Sequence, residues 1–544
     1  MNRSRSFSSS LPLALLFMAP LLGSLALMLA SAANLGAWVA VFQHPQLWGG
    51  LGLSLFTGIT ATAIAALVAL LIAASFFERG KDTTLARGLS AMLAVPHLAF
   101  AIGLGFLIMP SGLLTRVIAV LFTGWTSPPP WVTTHDPYGL ALIVALAVKE
   151  SGFLLFVLTN ILAREDMRQS FAAQKAAAQA LGHGTLSIWL RLFLPQLWAQ
   201  LVWPLVIVLV YATTVVDVAL VLGPTQPPTF ADVVWSDINS AHVADAARGA
   251  VGAVFLALIT GLVIMVAAAV GWVLRPALKI WLTRGPSPLA LPLWLGLAKW
   301  RGLQLFFGAV LITLVLLSVA QLWPFPQLLP EHFDASAWRQ VAEHSAPLVL
   351  SLVLAISTSL SALLLLVLWF ETLPQTWDRA MMIMSLVMLG LPALLIGLGQ
   401  YQMFLRFGLT GTGLGLFLAH LMPVVAYMFI MLEGPYRALD PRWRDVSRGL
   451  GAGRIGFLTR IKWPMLKAPL LASVAVGFAV SFGQFVPAQL VSAGRFSTLT
   501  MEAVTLTSGT NRPLAAAFAL LLMLPPLLVF LGAGLFGRAR WRVA

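Results

Sequence analysis

The chain has no cysteine among its 544 residues, and only 10% of them are charged. The first absence excludes disulfides, thiolate metal sites and cysteine nucleophiles. The second excludes a soluble globular protein of this length, which carries about 25% charged residues. Acidic residues are the scarcest charges: 19 Asp and Glu stand against 33 Lys and Arg, a net charge of +14. No Gly-x-x-x-x-Gly-Lys-[Ser/Thr] loop of the kind that cradles nucleotide phosphates occurs, since Gly80-Lys81-Asp82 lacks both the earlier glycine and the hydroxyl. The eight histidines, among them His97, His344 and His420, form no pair at metal-ligand spacing. What is abundant is apolar. Hydrophobic residues make up 59% of the chain and the mean hydropathy is +0.91. The chain therefore reads as an all-α integral membrane protein with no metal centre of its own.

A helix crosses a bilayer core with about 20 apolar residues. Twelve segments qualify: 11–33, 50–77, 88–110, 139–163, 197–223, 250–274, 303–323, 346–370, 380–400, 412–432, 469–492 and 513–536. The run 11–33 exceeds the ~7–15 residues of a signal-peptide core and is expected to be retained as the first span. Residues 113–124 are a weaker apolar stretch, expected as an interfacial or re-entrant piece. With both termini inside, 26 of the 33 Lys and Arg fall in inside segments. Six fall outside (Arg116, Arg248, Arg339, Arg406, Arg495 and Arg512), and Lys149 lies within a span. Positive charge concentrates on the cytoplasmic side of membrane proteins. The basic excess is thus explained by topology, and a nucleic-acid partner is not expected. The 19 tryptophans mostly flank spans, where interfacial anchoring accounts for them.

A short pattern occurs twice, 269 residues apart. The first copy runs from Ala176, Ala177 and Ala178 through Gly182 to Leu194-Pro195. The second runs from Asp445, Val446 and Ser447 through Gly451 to Ile461 and Pro464. The Gly-to-Pro spacing is 13 residues in both, and both copies fall in basic loops predicted to be cytoplasmic. Residues 166–181 are good helix material, and Gly182 suits the left-handed position that ends a helix. Leu186, Trp189, Leu190 and Phe193 then follow an amphipathic helical spacing. Pro195 fits the first turn of the next helix. One such loop would be an ordinary basic loop with a glycine cap; two at matching places are a duplicated element.

The duplication extends further. Ser54 to Thr60 resembles Ser351 to Ser357, and Met92-Leu-Ala-Val-Pro96 resembles Met388-Leu-Gly-Leu-Pro392. Thr229 to Val234 aligns with Thr498 to Ala503. Six spans per half give the halves the same orientation, related by an axis along the membrane normal, with a translocation path along their interface. The stretch 275–302, with Pro286, Pro288 and Pro292, is the natural linker. Ionisable groups in mid-membrane cost about 2.5–3.5 kcal/mol on insertion scales and face protein or water. Lys149 and Glu150 lie in the fourth span, Asp217 in the outer half of the fifth, and His420 at the matching place in the second half. Two readings of them stand: they line the path, or they fix helices to each other.

The duplicated pattern resembles the Glu-Ala-Ala, three residues, Gly, nine residues, Ile-x-Leu-Pro signature of permeases of binding-protein-dependent ABC importers. Ala176 replaces the acidic residue in the first copy; Val446-Ser447 replace Ala-Ala, and Trp463 replaces Leu, in the second. The resemblance covers roughly 45–275 and 345–537, and is nearest the fused branch of iron(III) and thiamine permeases. It implies about 12 transmembrane helices in two tandem MetI-like six-helix halves, 45–275 and 345–537. An N-terminal span would precede them within 1–44. Residues 276–344 would supply a cytoplasmic linker, the seventh span and a periplasmic loop, and 538–544 a basic tail. It further implies a bacterial inner-membrane location and two copies of a cytoplasmic ABC ATPase that bind ATP, with no cofactor in this chain. Each docking loop would be a coupling helix for one ATPase. A periplasmic solute-binding protein would meet loops 224–249, 324–345 and 493–512. The second copy is the more basic and keeps the acidic residue, so the two loops are expected to be inequivalent. A twelve-helix ion-gradient transporter is the alternative, but it leaves the duplicated loop unexplained. A lipid-modifying membrane enzyme lacks a His/Asp/Glu cluster at shared depth.

Overall fold

A computed structural model describes residues 18–80, 85, 88–89 and 92–537 of the chain. The start of the first expected span, the loop around Lys81-Asp82, part of the start of 88–110 and the tail 538–544 lie outside the described residues. Among the described residues nine helices are long and apolar enough to cross a membrane, or up to twelve if each sharply bent pair is one span. Apart from a two-stranded pairing of Ala320–Leu322 with His332–Phe333, the named elements are helices.

The long helices follow the apolar runs because in hydrocarbon the backbone must satisfy its own hydrogen bonds. In the first half Leu47–Glu78 packs on Leu140–Leu162 and on Leu194–Thr214. In the second, Ala346–Thr372, Gly413–Arg437 and Lys467–Phe482 pack on one another. Leu293–Ser318 starts ten residues earlier than the apolar run 303–323 and packs against both halves.

Several spans are not single rods. Met18–Ser31 turns by 74° into Leu35–Phe42. The expected span 380–400 is two helices, Gln375–Gly390 and Ala393–Arg406, bent by 108°. The break falls at Pro392, whose backbone is extended at the helix cap. Pro96 does the same ahead of His97–Ile108. Proline cannot donate and disfavours helix in the residue before it, so the repeated Met-Leu-x-x-Pro pattern is a repeated helix break. The stretch 113–124 is a helix, Leu113–Ile118 with the π-turn Ala119–Thr123, set off from His97–Ile108 by a break at 109–112. Taken together, His97–Thr123 is long and apolar enough to cross a membrane. Beyond the kink at Ser111-Gly112, Arg116 satisfies itself on the carbonyls of Ser111, Trp323, Pro324 and Gln327.

The second pair of breaks corrects the placing of Asp217. The fifth span ends at Thr214, and Asp217 begins a separate helix, Asp217–Leu222. Its counterpart Val486–Ser492 follows Lys467–Phe482 after a similar short break. Next come Phe230–Ile238 and Leu499–Thr507, capped by the Thr229 and Thr498 hydroxyls. Each is fastened to the first long helix of its own half. Phe230 donates its backbone N–H to Ser54 Oγ at 2.9 Å, and Leu499 to Ser351 Oγ at 2.8 Å. The halves contact each other reciprocally. His97–Ile108 packs on Arg512–Phe536 of the second half, and Ala393–Arg406 packs on Val243–Val273 of the first. An interface in which each half presents the same elements to the other is what a two-fold relation requires.

Candidate functional site

The two copies of the pattern fold alike. Glu165–Ala180 and Arg442–Gly449 are the leading helices. Gly182 has φ +84° and Gly451 φ +78°, conformations that a Cβ would strain. Both turns close with the same bonds. Gly182 N–H donates to Gln179 O and His183 N–H to Ala178 O; Gly451 N–H donates to Arg448 O and Ala452 N–H to Ser447 O, all at 2.9–3.0 Å. This is the paired glycine closure that satisfies carbonyls left over at a helix end. Short helices Thr185–Ile188 and Arg454–Phe457 follow, each continued by a five-residue π-turn, Trp189–Phe193 and Leu458–Lys462. Pro195 and Pro464 occupy the first turns of the next helices, with Leu194 just before Pro195 and Ile461 in the π-turn that precedes Pro464. The first copy runs straight into the membrane helix, whereas the second bends by 76° before Lys467.

Ala176, Ala177, Asp445 and Val446 are exposed, while Ala178 is half-buried and Ser447 buried. The most outward apolar residues are the leucines that precede each glycine, Leu181 at 71% and Leu450 at 81% exposure. A leucine left uncovered at the same place in both copies costs apolar burial unless a partner covers it.

Sequence reasoning missed what holds these loops. In the first half Glu78, 3% exposed at the end of Leu47–Glu78, is ion-paired with Lys175 and accepts from Trp189 Nε1 at 2.9 Å. Phe77, Phe171, Trp189 and Phe193 pack around it, with Phe171 and Phe193 stacked at 4.1 Å. In the second half Glu371 accepts from Lys462 Nζ at 2.7 Å and from Tyr436 OH at 2.9 Å. Phe370 stacks on Tyr436 at 4.9 Å. Each first long helix thus ends in a Phe-Glu pair that grips the loop, and the repeated dipeptide at 77–78 and 370–371 was the available signal.

The membrane charges divide by role. Lys149 Nζ donates to Met92 O at 2.8 Å and Val95 O at 2.5 Å, carbonyls freed by the break at Pro96. Glu150 Oε1 pairs with His97 Nε2 at 2.9 Å, just past the break. Lys149 and Glu150 therefore clamp the third span's bend. His97 also packs against Tyr211 at 4.9 Å. Tyr211 lies within electrostatic reach of Glu150, Asp217 and, across the interface, Tyr427. His420 is buried, with Nδ1 on Ser481 Oγ at 3.0 Å, and is not joined to the break at Pro392. The structure brings Glu150 and Asp217 into one neighbourhood; Lys149 and His420 point into helix contacts.

Among the described residues no group of three His, Asp or Glu side chains could hold a metal ion. The arrangement has two matched halves, reciprocal packing, a broken helix in each half, and two gripped loops on the basic side. It defines a multi-pass helical membrane protein of two like halves, each carrying a glycine-closed loop. The chain is 30% identical over 514 residues to the inner membrane ABC transporter permease protein YnjC of Escherichia coli (strain K12). The match covers 94% of this chain and 92% of that relative. No protein-family model matches the chain. The chain belongs to the ABC transporter permeases.

Proposed function

We propose that this chain is the complete membrane path of a binding-protein-dependent ABC importer in a bacterial inner membrane, with both termini cytoplasmic. The two halves, 45–275 and 345–537, are MetI-like permease domains on one polypeptide. Two copies of a cytoplasmic ATPase dock on the handles at Gly182 and Gly451 and bind the ATP. A binding protein delivers solute to the opposite face, and closure of the ATPase pair moves the handles and switches access between the sides.

The observation that carries this reading is the matched pair of glycine-closed turns, each with an exposed leucine and each gripped by a glutamate of its own half. A rigid grip is needed to pass force from a loop to a membrane helix. Glu78 and Glu371 supply it through charge-assisted bonds, which are roughly twice as strong as neutral ones. Force then reaches the first long helices, and through Ser54 and Ser351 the small helices at the interface between the halves. The bends at Pro96 and Pro392 lie along that interface, where Glu150, Asp217, Tyr211 and Tyr427 flank the path while Lys149 and His420 hold its walls.

Gly182→Asp and Gly451→Asp test the reading. Each puts a Cβ at a positive φ and a charge beside the docking leucine. Each is expected to abolish ATP-driven uptake and release the ATPase from the membrane. Uptake that survives both substitutions and collapses with an ionophore would instead establish an ion-gradient transporter.

A further inference from the structure

The two handles differ in one respect that the repeat does not predict: the first is strapped by the interdomain linker. Between Arg275–Leu282 and Leu293–Ser318 the chain crosses the first handle in extended form. Gly184 N–H donates to Ser287 O at 2.8 Å, Leu186 N–H to Leu289 O at 3.1 Å, and Leu291 N–H to Thr185 Oγ1 at 2.7 Å. Arg191 donates to Gly285 O at 3.1 Å and lies over the Trp281 ring at 5.1 Å. Leu291 is buried beneath the crossing. The contact is so close that a Cβ at Gly184 would meet Leu289 O at 2.3 Å. Pro286 Cβ lies 3.7 Å from where a Gly182 Cβ would be. At the matching place in the second half, a Cβ on Gly453 meets nothing within 4 Å among the described residues, and Arg454 bonds to Glu371 O instead.

We infer that residues 286–290 form part of the docking surface for one ATPase subunit and have no equivalent among the described residues at the other. This rests on the reading of the handles as ATPase docks. The strap leaves Pro286, Pro288 and Leu289 facing outward beside the handle, with Leu289 59% exposed. Whatever covers Leu181 meets Pro286, because the linker is bonded to the same turn. The first dock is then apolar and proline-bearing, around Leu181 and the linker. The second is cationic, with Arg442, Arg444, Arg448 and Arg454 around Leu450. Two identical ATPase subunits would bind surfaces of different chemistry, and the linker carries that difference.

The absence of cysteine makes each introduced cysteine unique. Leu181→Cys, Leu450→Cys and Leu289→Cys are each made in the full chain, assembled with its ATPase in membranes, and labelled with benzophenone maleimide. After photolysis all three are expected to join the ATPase, identified through its phosphate-loop peptide by mass spectrometry. Crosslinks from Leu181→Cys and Leu450→Cys without one from Leu289→Cys would overturn the linker's part and leave both docks standing. Crosslinks from Leu289→Cys to lipid alone would overturn it too, assigning the linker to the bilayer surface. Failure of all three would overturn the docking reading itself.

Discussion

Gly184→Ala and Gly453→Ala are the same substitution at the same place in the repeat, yet the structure assigns them opposite outcomes. Both glycines have negative φ and extended ψ, −78° and 162° for Gly184 and −70° and 173° for Gly453, which alanine adopts without strain. Only the surroundings differ. At Gly184 the new Cβ meets Leu289 O at 2.3 Å and Pro288 O at 2.5 Å. Relief to ordinary contact moves the linker by roughly 1 Å. That stretches the 2.8 and 3.1 Å backbone bonds beyond hydrogen-bond range and pulls on the third, from Leu291. At about 1 kcal/mol net per bond, the loss is about 2–3 kcal/mol. This corresponds to a roughly 30- to 150-fold rise in the detached linker population. Cleavage by trypsin after Arg284, which lies at the start of the strapped segment, tracks that population when opening is fast. Gly184→Ala should therefore be nicked at Arg284 tens of times faster than the parent protein, and Gly453→Ala at the parental rate. Equal rates for Gly184→Ala and the parent, or an equal rise in Gly453→Ala, would refute the strap.

Further outcomes follow from the same contacts. Glu78→Gln and Glu371→Gln each weaken bonds worth about 1.5–3 kcal/mol to charged partners; ATPase should still copurify while uptake per ATP hydrolysed falls, and unchanged coupling would show that the glutamates only stabilise the fold. Ser54→Ala and Ser351→Ala each leave a buried N–H without its partner, a cost of about 1–3 kcal/mol. The two bonds share no residue and lie in different halves, so thermal unfolding of the double mutant should show about the sum of the single effects. Lys149→Ala strips the carbonyls of Met92 and Val95 of their donor and should lower the yield of folded protein; normal yield and transport would remove it from both clamp and path. Burial raises the Asp232 carboxyl to about 7, with the Thr229 hydroxyl opposing. Its folded pKa lies above its unfolded one, so stability should fall as pH rises from about 4 to about 7 and level off beyond. Asp232→Asn should flatten that slope in a thermal-melt series.

Much of the two glycine-closed loops was readable because they rest on local rules. A glycine that ends a helix at positive φ, and a proline in the first turn of the next, need only their neighbours in sequence. The 13-residue spacing therefore gave both turns. The Phe-Glu pairs escaped because their meaning lies in what they reach. Lys175 is 97 residues from Glu78, and Lys462 is 91 from Glu371. The helix breaks were also half legible. Met-Leu-x-x-Pro was visible as a repeat, but hydropathy averages over about 19 residues and is blind to where a backbone bends. Whether a proline breaks a membrane helix depends on who satisfies the freed carbonyls, and here Lys149, some 55 residues on, does so.

The sequence by itself determined that this chain lives in a membrane, that it is built from two like halves, and that each half carries a glycine-closed loop on its basic side. Composition, period and turn chemistry are properties of short stretches and need no fold. Only the tertiary structure decided that Lys149 and Glu150 brace a bend, that Asp217 starts its own helix, and that each loop is held by a distant glutamate. The two loops already differed in charge in the sequence, and the structure added that they also differ in what they contact. The linker bonds to one glycine edge, while no described residue lies against the matching edge, and that follows from where the chain passes in space.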